Sequence, residues 1–234
     1  MKTAVNPYRM AGFGVSATAA VFSNWSLPEF CWSTWLAGLV YSWTCVITAA
    51  VQIMLAARMD KETYGRWLPL LRRFSPGVLL LGVRVISVAV GLIGFRLYSF
   101  LFGFYGLFLS IFSEMEPLTL FGRNGFINSD FFTPVFYLTD RFWPMALGVL
   151  LANWGDFVQN KPWRRVLLPF QKEIIRIHIM ILVSPFFSLI AWALFGKGYQ
   201  SITIVLLMSL FYLLPKKAKK GEPEHAGNPD YGAE

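Results

Sequence analysis

The 234 residues carry a formal charge of +8, yet only 15% are charged and 56% are hydrophobic, more apolar material than one soluble core of this length absorbs. The apolar residues are bunched into charge-free runs, and the loops between them alternate between basic and nearly free of Lys and Arg. This pattern excludes a soluble globular domain. Because the basic residues are spread over separate loops rather than gathered in one stripe, it also excludes nucleic acid as a partner, and attraction to membrane lipids at about 1 kcal/mol per basic residue accounts for them.

The pattern predicts an all-α, polytopic transmembrane helix bundle over residues 1–215, followed by a basic and then disordered cytoplasmic tail over 216–234. Span A covers Met10 to Pro28, uncharged but diluted by Gly12, Gly14, Ser16 and Thr18. The alternative there is a cleaved signal peptide, with Lys2 and Arg9 as its basic start and Ala17 and Ala19 as its small residues. Span B runs from Phe30 to Ala57, 28 residues without a charge where roughly 20 suffice to cross a bilayer core. Its two cysteines, Cys31 and Cys45, lie about 21 Å apart on one helix and form neither a disulfide within it nor a metal pair.

Residues Gly77 to Ser113 are interrupted only by Arg84 and Arg96 and fit either one crossing with a long interfacial lead or two short crossings. Charge bias decides between them. Lys and Arg number five in Arg58–Arg73, five in Lys161–Arg176 and four in Lys216–Lys220, and cytoplasmic placement of all three requires an even number of crossings between the first two. One crossing near 90–113 (span C) and one near 142–158 (span D) meet that requirement. Span D is short, with only Phe142–Gly155 free of charge, and Asp156 then falls at the inner boundary, bracketed by Trp143, Trp154 and Trp163. The outer loop Glu114–Arg141 reads as a lid, a docking surface or an ordered connector. Spans E (Ile177–Gly196) and F (Gly198–Pro215) turn at Lys197, giving six spans with both termini in the cytoplasm.

The candidate functional residues are polar groups close to these spans. His178, Asp156, Glu173 and Arg176 share one inner depth and predict an ion-pair cluster or a proton-accessible pocket, with snorkelling to headgroups as the alternative. Arg96 interrupts an apolar helix and calls for a partner, whereas Arg84 fits an amphipathic lead at the cytoplasmic face. Arg72, Arg73, Arg164, Arg165, Lys216 and Lys217 are expected at lipid headgroups. With His225 in the tail, His178 alone serves the membrane region, so two axial imidazoles for a b-type haem are excluded. A singly ligated chlorin, or a haem completed by another chain, stays open, and the cofactor is otherwise unassigned. The aromatic face of span C (Phe95, Tyr98, Phe102, Tyr105 among others) fits bundle packing, quinone, pigment or lipid, and Gly38/Ser42 and Ser99/Gly103 have the spacing that lets helices approach closely.

The stretch PWRRVLLPFQKEIIRIHIMILVSPFFSLIAWALFGKGYQSITIVLLMSLFYLLP resembles the end of an uncharacterised bacterial polytopic membrane family, a domain of unknown function. There an arginine-rich loop leads into a helix of the form R-I-x-x-x-H and a glycine-broken hairpin. Arg176, Ile177 and His178 look like that helix, and the FYGLF segment at Phe104–Phe108 resembles one that the family flanks with histidines, where this chain has Phe104 and Phe112. The resemblance implies an all-helical inner-membrane fold and no particular chemistry.

Three functions remain. The first is a non-catalytic accessory or scaffold subunit packing against other membrane-protein subunits. The second is a small transporter or proton-coupled permease using Arg96, Asp156 and His178. The third is an inner-leaflet enzyme acting on lipid with His178 and Asp156 as acid and base.

Overall fold

The computed structural model describes residues 7–59, 76–112, 132–158, 161–196 and 199–213, and every regular element among them is a helix. In chain order they are α1 (Pro7–Phe22), α2 (Leu27–Met59), α3 (Pro76–Phe112), α4 (Phe132–Ala152), α5 (Trp154–Val158), α6 (Pro162–Pro169), a π-helical turn (Phe170–Ile174), α7 (Ile175–Phe195) and α8 (Tyr199–Leu213). Three helical stretches are long and apolar enough to cross a membrane, Leu27–Leu55, Leu80–Leu107 and Pro134–Ala152, consistent with an integral membrane protein. The expected tail at 216–234 and the headgroup residues Arg72, Arg73, Lys216 and Lys217 lie outside the described residues.

The turn from α1 to α2 is built from local chemistry. Asn24, with φ of 47°, takes the left-handed position after α1, and the amides of Asn24 and Trp25 bond back to the carbonyls of Val21 and Ala20. That pairing is a Schellman motif, which satisfies carbonyls that the helix end would otherwise leave open. Ser26 and Glu29 then cap α2 reciprocally: the Ser26 amide donates to Glu29 Oε2 at 2.7 Å and the Glu29 amide to Ser26 Oγ at 3.4 Å. Along α2 the hydroxyls of Thr34, Ser42 and Thr44 donate to their own helix, to the carbonyls of Phe30, Gly38 and Val40, so none needs water.

Successive helices run in alternating directions. Ala50, Trp43 and Trp35 of α2 meet Ser87, Ser99 and Phe102 of α3 in that order, which makes the pair antiparallel. Tyr98 and Tyr105 of α3 meet Phe170 and His178 in order, so the α6–π–α7 run is parallel to α3. Gly12 and Ser16 of α1 set α1 antiparallel to the end of α4, since Gly12 faces both Gly148 and Ala152 whereas Ser16 faces Gly148. A short connection starting at Gly196, with φ of 57°, turns α8 back along α7. Tyr212 near the end of α8 closes the bundle by meeting Ser16 Oγ at 3.1 Å.

Two expected boundaries differ from the observed ones. Span C was placed near 90–113, but α3 is one helix of 37 residues from Pro76 and its apolar window opens at Leu80, because Arg84 projects to the surface and leaves the buried side of the helix uninterrupted. Residues 132–141, assigned to the outer loop, are helical and form the first arm of α4. Phe142, with φ of −118° and ψ of 17°, breaks that helix two residues before Pro144, whose ring excludes the carbonyl four residues back. At one end of this arm the Phe132 ring lies tilted 6.4 Å from Trp43; at the other Arg141 pairs with Glu29, about 21 Å away along α2. The arm therefore runs against α2, and the second arm rises parallel to it. Span D was placed near 142–158, whereas the stretch long and apolar enough to cross is Pro134–Ala152, which includes the break.

The α1–α4 contact depends on two glycines. A methyl group on Gly148 would lie 2.0 Å from Ser16 Oγ and 2.7 Å from the Gly12 carbonyl oxygen, so the backbones would have to separate. Gly14, two residues from Gly12 and on the other side of α1, has nothing within 4 Å of such a methyl. Gly148→Ala is expected to lower stability by about 1–3 kcal/mol through overpacking, and Gly14→Ala to leave it unchanged or raise it. Unfolding of both variants in the same detergent measures the difference.

Candidate functional site

The π-turn makes the site. Pro169 cannot donate a backbone hydrogen bond, and directly after it the helix widens, a local geometry that recurs at functional sites. The widened turn carries Lys172 and Glu173 into the bundle, where they meet α5 and α2.

Asp156 is the hub. Its Oδ2 accepts from the Tyr41 hydroxyl at 2.7 Å and from Lys172 Nζ in a close ion pair, while its backbone carbonyl accepts from Arg165 Nε at 3.0 Å. One residue of five thus ties together α2, α6 and the π-turn. Cys45, one turn along α2 from Tyr41, lies against the phenol and within electrostatic range of Asp156, Lys172 and Glu173. Beside this group Glu173, 1% exposed, accepts from Arg176 Nη1 on Oε2 at 2.9 Å, and its other oxygen, Oε1, is buried with no hydrogen-bond partner among the described residues. Burial lowers the Arg165 guanidinium below its ordinary pKa, and the nearby Cys45, Asp156 and Tyr41 oppose that shift.

Of the five candidate residues, three enter this site. Asp156 has Lys172 and Tyr41 as partners, and Glu173 pairs with Arg176. His178 is exposed, with Nδ1 at 2.6 Å from the Tyr105 hydroxyl and 3.3 Å from the Ile174 carbonyl oxygen. Arg96 is exposed on α3, outside the cluster. Arg165, expected at headgroups, is 3% exposed and turned inward, because α6 presents Pro162, Arg165 and Leu168 to the bundle. Arg164 is exposed, as are Trp143, Trp154 and Trp163. The cysteines are both free and buried.

Lys172 and Tyr41 escaped the sequence reading, and Arg165 was assigned to headgroups instead. Lys172 and Arg165 were counted in a basic loop, and no periodicity marks a π-turn. Glu29 was missed as well, although Ser26 and Glu29 at the head of an apolar run spell a capping box. Glu29 also holds Arg141 across to the bend of α4, below the edge-to-face contact of Trp25 with Phe142 at 5.1 Å.

No protein-family model matches this chain, and neither a curated protein nor a solved structure matches it. The site therefore has to be read from its own chemistry. Among the described residues no group of three or more His, Cys, Asp or Glu is placed to hold a metal ion.

The Asp156–Lys172 pair is largely removed from solvent, with side chains 12% and 19% exposed. Removing one partner strands the other's charge. Asp156→Leu is expected to cost about 3–5 kcal/mol, whereas Asp156→Leu with Lys172→Met recovers most of the loss. Chemical unfolding of the two variants in detergent gives the coupling.

Proposed function

We propose that the chain is an accessory or scaffold subunit of the bacterial cytoplasmic membrane, crossing it six times with both ends inside and working beside other membrane-protein subunits. The observation that carries this reading is how the buried charges are used. Asp156 is bound by Lys172 and Tyr41 and Glu29 by Arg141, so these two carboxylates serve as joints between elements, while Glu173 is held by Arg176 three residues along the same helical run. A group held in that way fixes helix positions and has little freedom to exchange protons with a substrate.

The six crossings rest on the alternating directions of α1, α2, α3, the second arm of α4, α7 and α8 taken with the basic segments between them. The short α1 then crosses in contact with α4 and α8, and the first arm of α4 dips back beside α2 without adding a crossing.

One observation favours the second reading, a proton-coupled permease: the unpartnered Oε1 of Glu173 in a π-turn. Buried ionisable groups in membrane segments often mark transport paths. The lipid-acting enzyme draws no comparable support, since His178 bonds to Tyr105 and Asp156 to Tyr41 and Lys172.

Two measurements test the proposal. Single cysteines replacing Arg66 and Arg164 are expected to react with an impermeant maleimide only from the cytoplasmic side, and one replacing Arg123 only from outside; Arg66 and Arg164 on opposite sides would remove the six-crossing arrangement. Purification in mild detergent is expected to recover the chain with stoichiometric companions. A monodisperse chain by itself, together with a Glu173→Gln strain altered in ion or proton flux, would transfer the assignment to the permease.

A further inference from the structure

We infer that Glu173 is a proton-exchange site of the bundle, taking up and releasing a proton on Oε1 from the side where Lys172 and Arg176 reach solvent. The site goes beyond the accessory-subunit reading and holds for a subunit and a permease alike.

The two oxygens of this carboxylate differ. Oε2 accepts from Arg176 Nη1 at 2.9 Å, whereas Oε1 is buried and meets no hydrogen-bond donor among the described residues. Glu173 is 1% exposed, so that oxygen has also lost the solvent that satisfies a carboxylate at a surface. What reaches it has to be small, and a proton delivered by water meets that condition. Protonation of Oε1 leaves Oε2 as the acceptor of the Arg176 bond, so the group changes charge without changing its hydrogen-bonded partner. Asp156, by contrast, is engaged by two donors, Tyr41 and Lys172, from two different elements.

The position of Glu173 supplies a way in. Lys172 and Arg176 flank it with side chains 19% and 17% exposed, so the edge of the π-turn is wet while the carboxylate behind it is dry. Inward, Glu173 lies within electrostatic range of Cys45 on α2 and of Tyr212 on α8, and Tyr212 in turn meets Ser16 of α1. The carboxylate therefore stands between the Asp156 cluster and the Tyr212–Ser16 contact. Asp156 of α5, Tyr41 of α2 and Arg165 of α6 are the other titratable groups of that cluster.

Charge and ligand number select the proton. Arg165, Lys172 and Arg176 outnumber Asp156 and Glu173, so the cluster carries a net positive charge before anything binds. A metal cation would add to that excess and find one open oxygen where such ions take several ligands. A proton needs only the one oxygen, and the surrounding cations favour its release over its storage.

The test treats the full chain in its native membrane with dicyclohexylcarbodiimide, an apolar reagent that reaches buried carboxyl groups and reacts with their protonated form. The acid adds across one C=N bond of the reagent to give an O-acylisourea, whose acyl group migrates to nitrogen as a stable N-acylurea; no atom is lost and nothing is oxidised or reduced. The expected result is an adduct on the peptide carrying Glu173, at least tenfold more abundant at mildly acidic than at mildly alkaline pH. Arg176→Gln should raise it further, because the cation that favours the ionised form is gone. Glu173→Gln should abolish it.

A folded chain unlabelled at Glu173 at every pH, when the unfolded chain is labelled there, makes the residue a closed structural pair and overturns the proposal. So does an adduct equally abundant at acidic and alkaline pH, or one that persists in Glu173→Gln. These first readings come from the unaltered chain, so a variant that fails to fold does not disturb them. Purification without stoichiometric companions would overturn the accessory reading and leave this site standing.

Discussion

Asp156 lies in the short α5 between α4 and the α6–π–α7 run, and the packing at this end of the bundle depends on what it binds. Its carboxylate holds Tyr41 of α2 and Lys172 of the π-turn, and its carbonyl holds Arg165 of α6. In an apolar bundle there is no water to satisfy these groups, so each has one geometry in which its desolvation is offset. That geometry fixes the height of α5 against α2 and the rotation of the α6–π–α7 run.

The π-turn follows from the same constraint. A regular α-helix through residues 170–174 would set the register of Lys172 and Glu173 by the α6 face that already buries Arg165 and Leu168. Widening by one residue lets α6 keep that face while α7 buries Ile177 and Met180. Pro169, which donates no backbone hydrogen bond, lies where this change begins, so the helix gives up little there. The same logic applies at the opposite end of the bundle. Phe142 and Pro144 break α4 where Arg141 and Trp25 can hold the bend, through Glu29 and the Phe142 ring.

Close packing supplies the rest. Gly12 and Gly148 let α1 and α4 approach to backbone distance, and Gly38 of α2 leaves room for Phe102 and Ile177, whose atoms would lie 3.0 and 3.3 Å from an added methyl. With no hydrophobic drive between helices in lipid, such contacts and the few buried polar bonds provide the association energy. The interior is thus occupied by its own joints.

Composition and charge were enough to read an all-helical membrane protein, and the runs from Phe30, Ile177 and Gly198 located α2, α7 and α8 to within a few residues, because an apolar helix of sufficient length is a property of consecutive residues. Asp156, Glu173, Arg176 and His178 were grouped by their nearness to the span ends, and the structure brings the first three into or beside one cluster. Which charges meet was not. Lys172 and Arg165 are two of five basic residues in one segment, and only a π-turn and an inward-facing α6 bring them to Asp156 while leaving His178 with Tyr105 and Arg96 on the surface. The bend at Phe142 and the contact of Gly12 with Gly148 likewise join residues far apart in the chain. The sequence by itself determined the solvent each segment prefers, since that is a sum over neighbouring side chains; the tertiary structure alone decided the partners, since a buried charge is stabilised by whatever distant group the packing sets within reach.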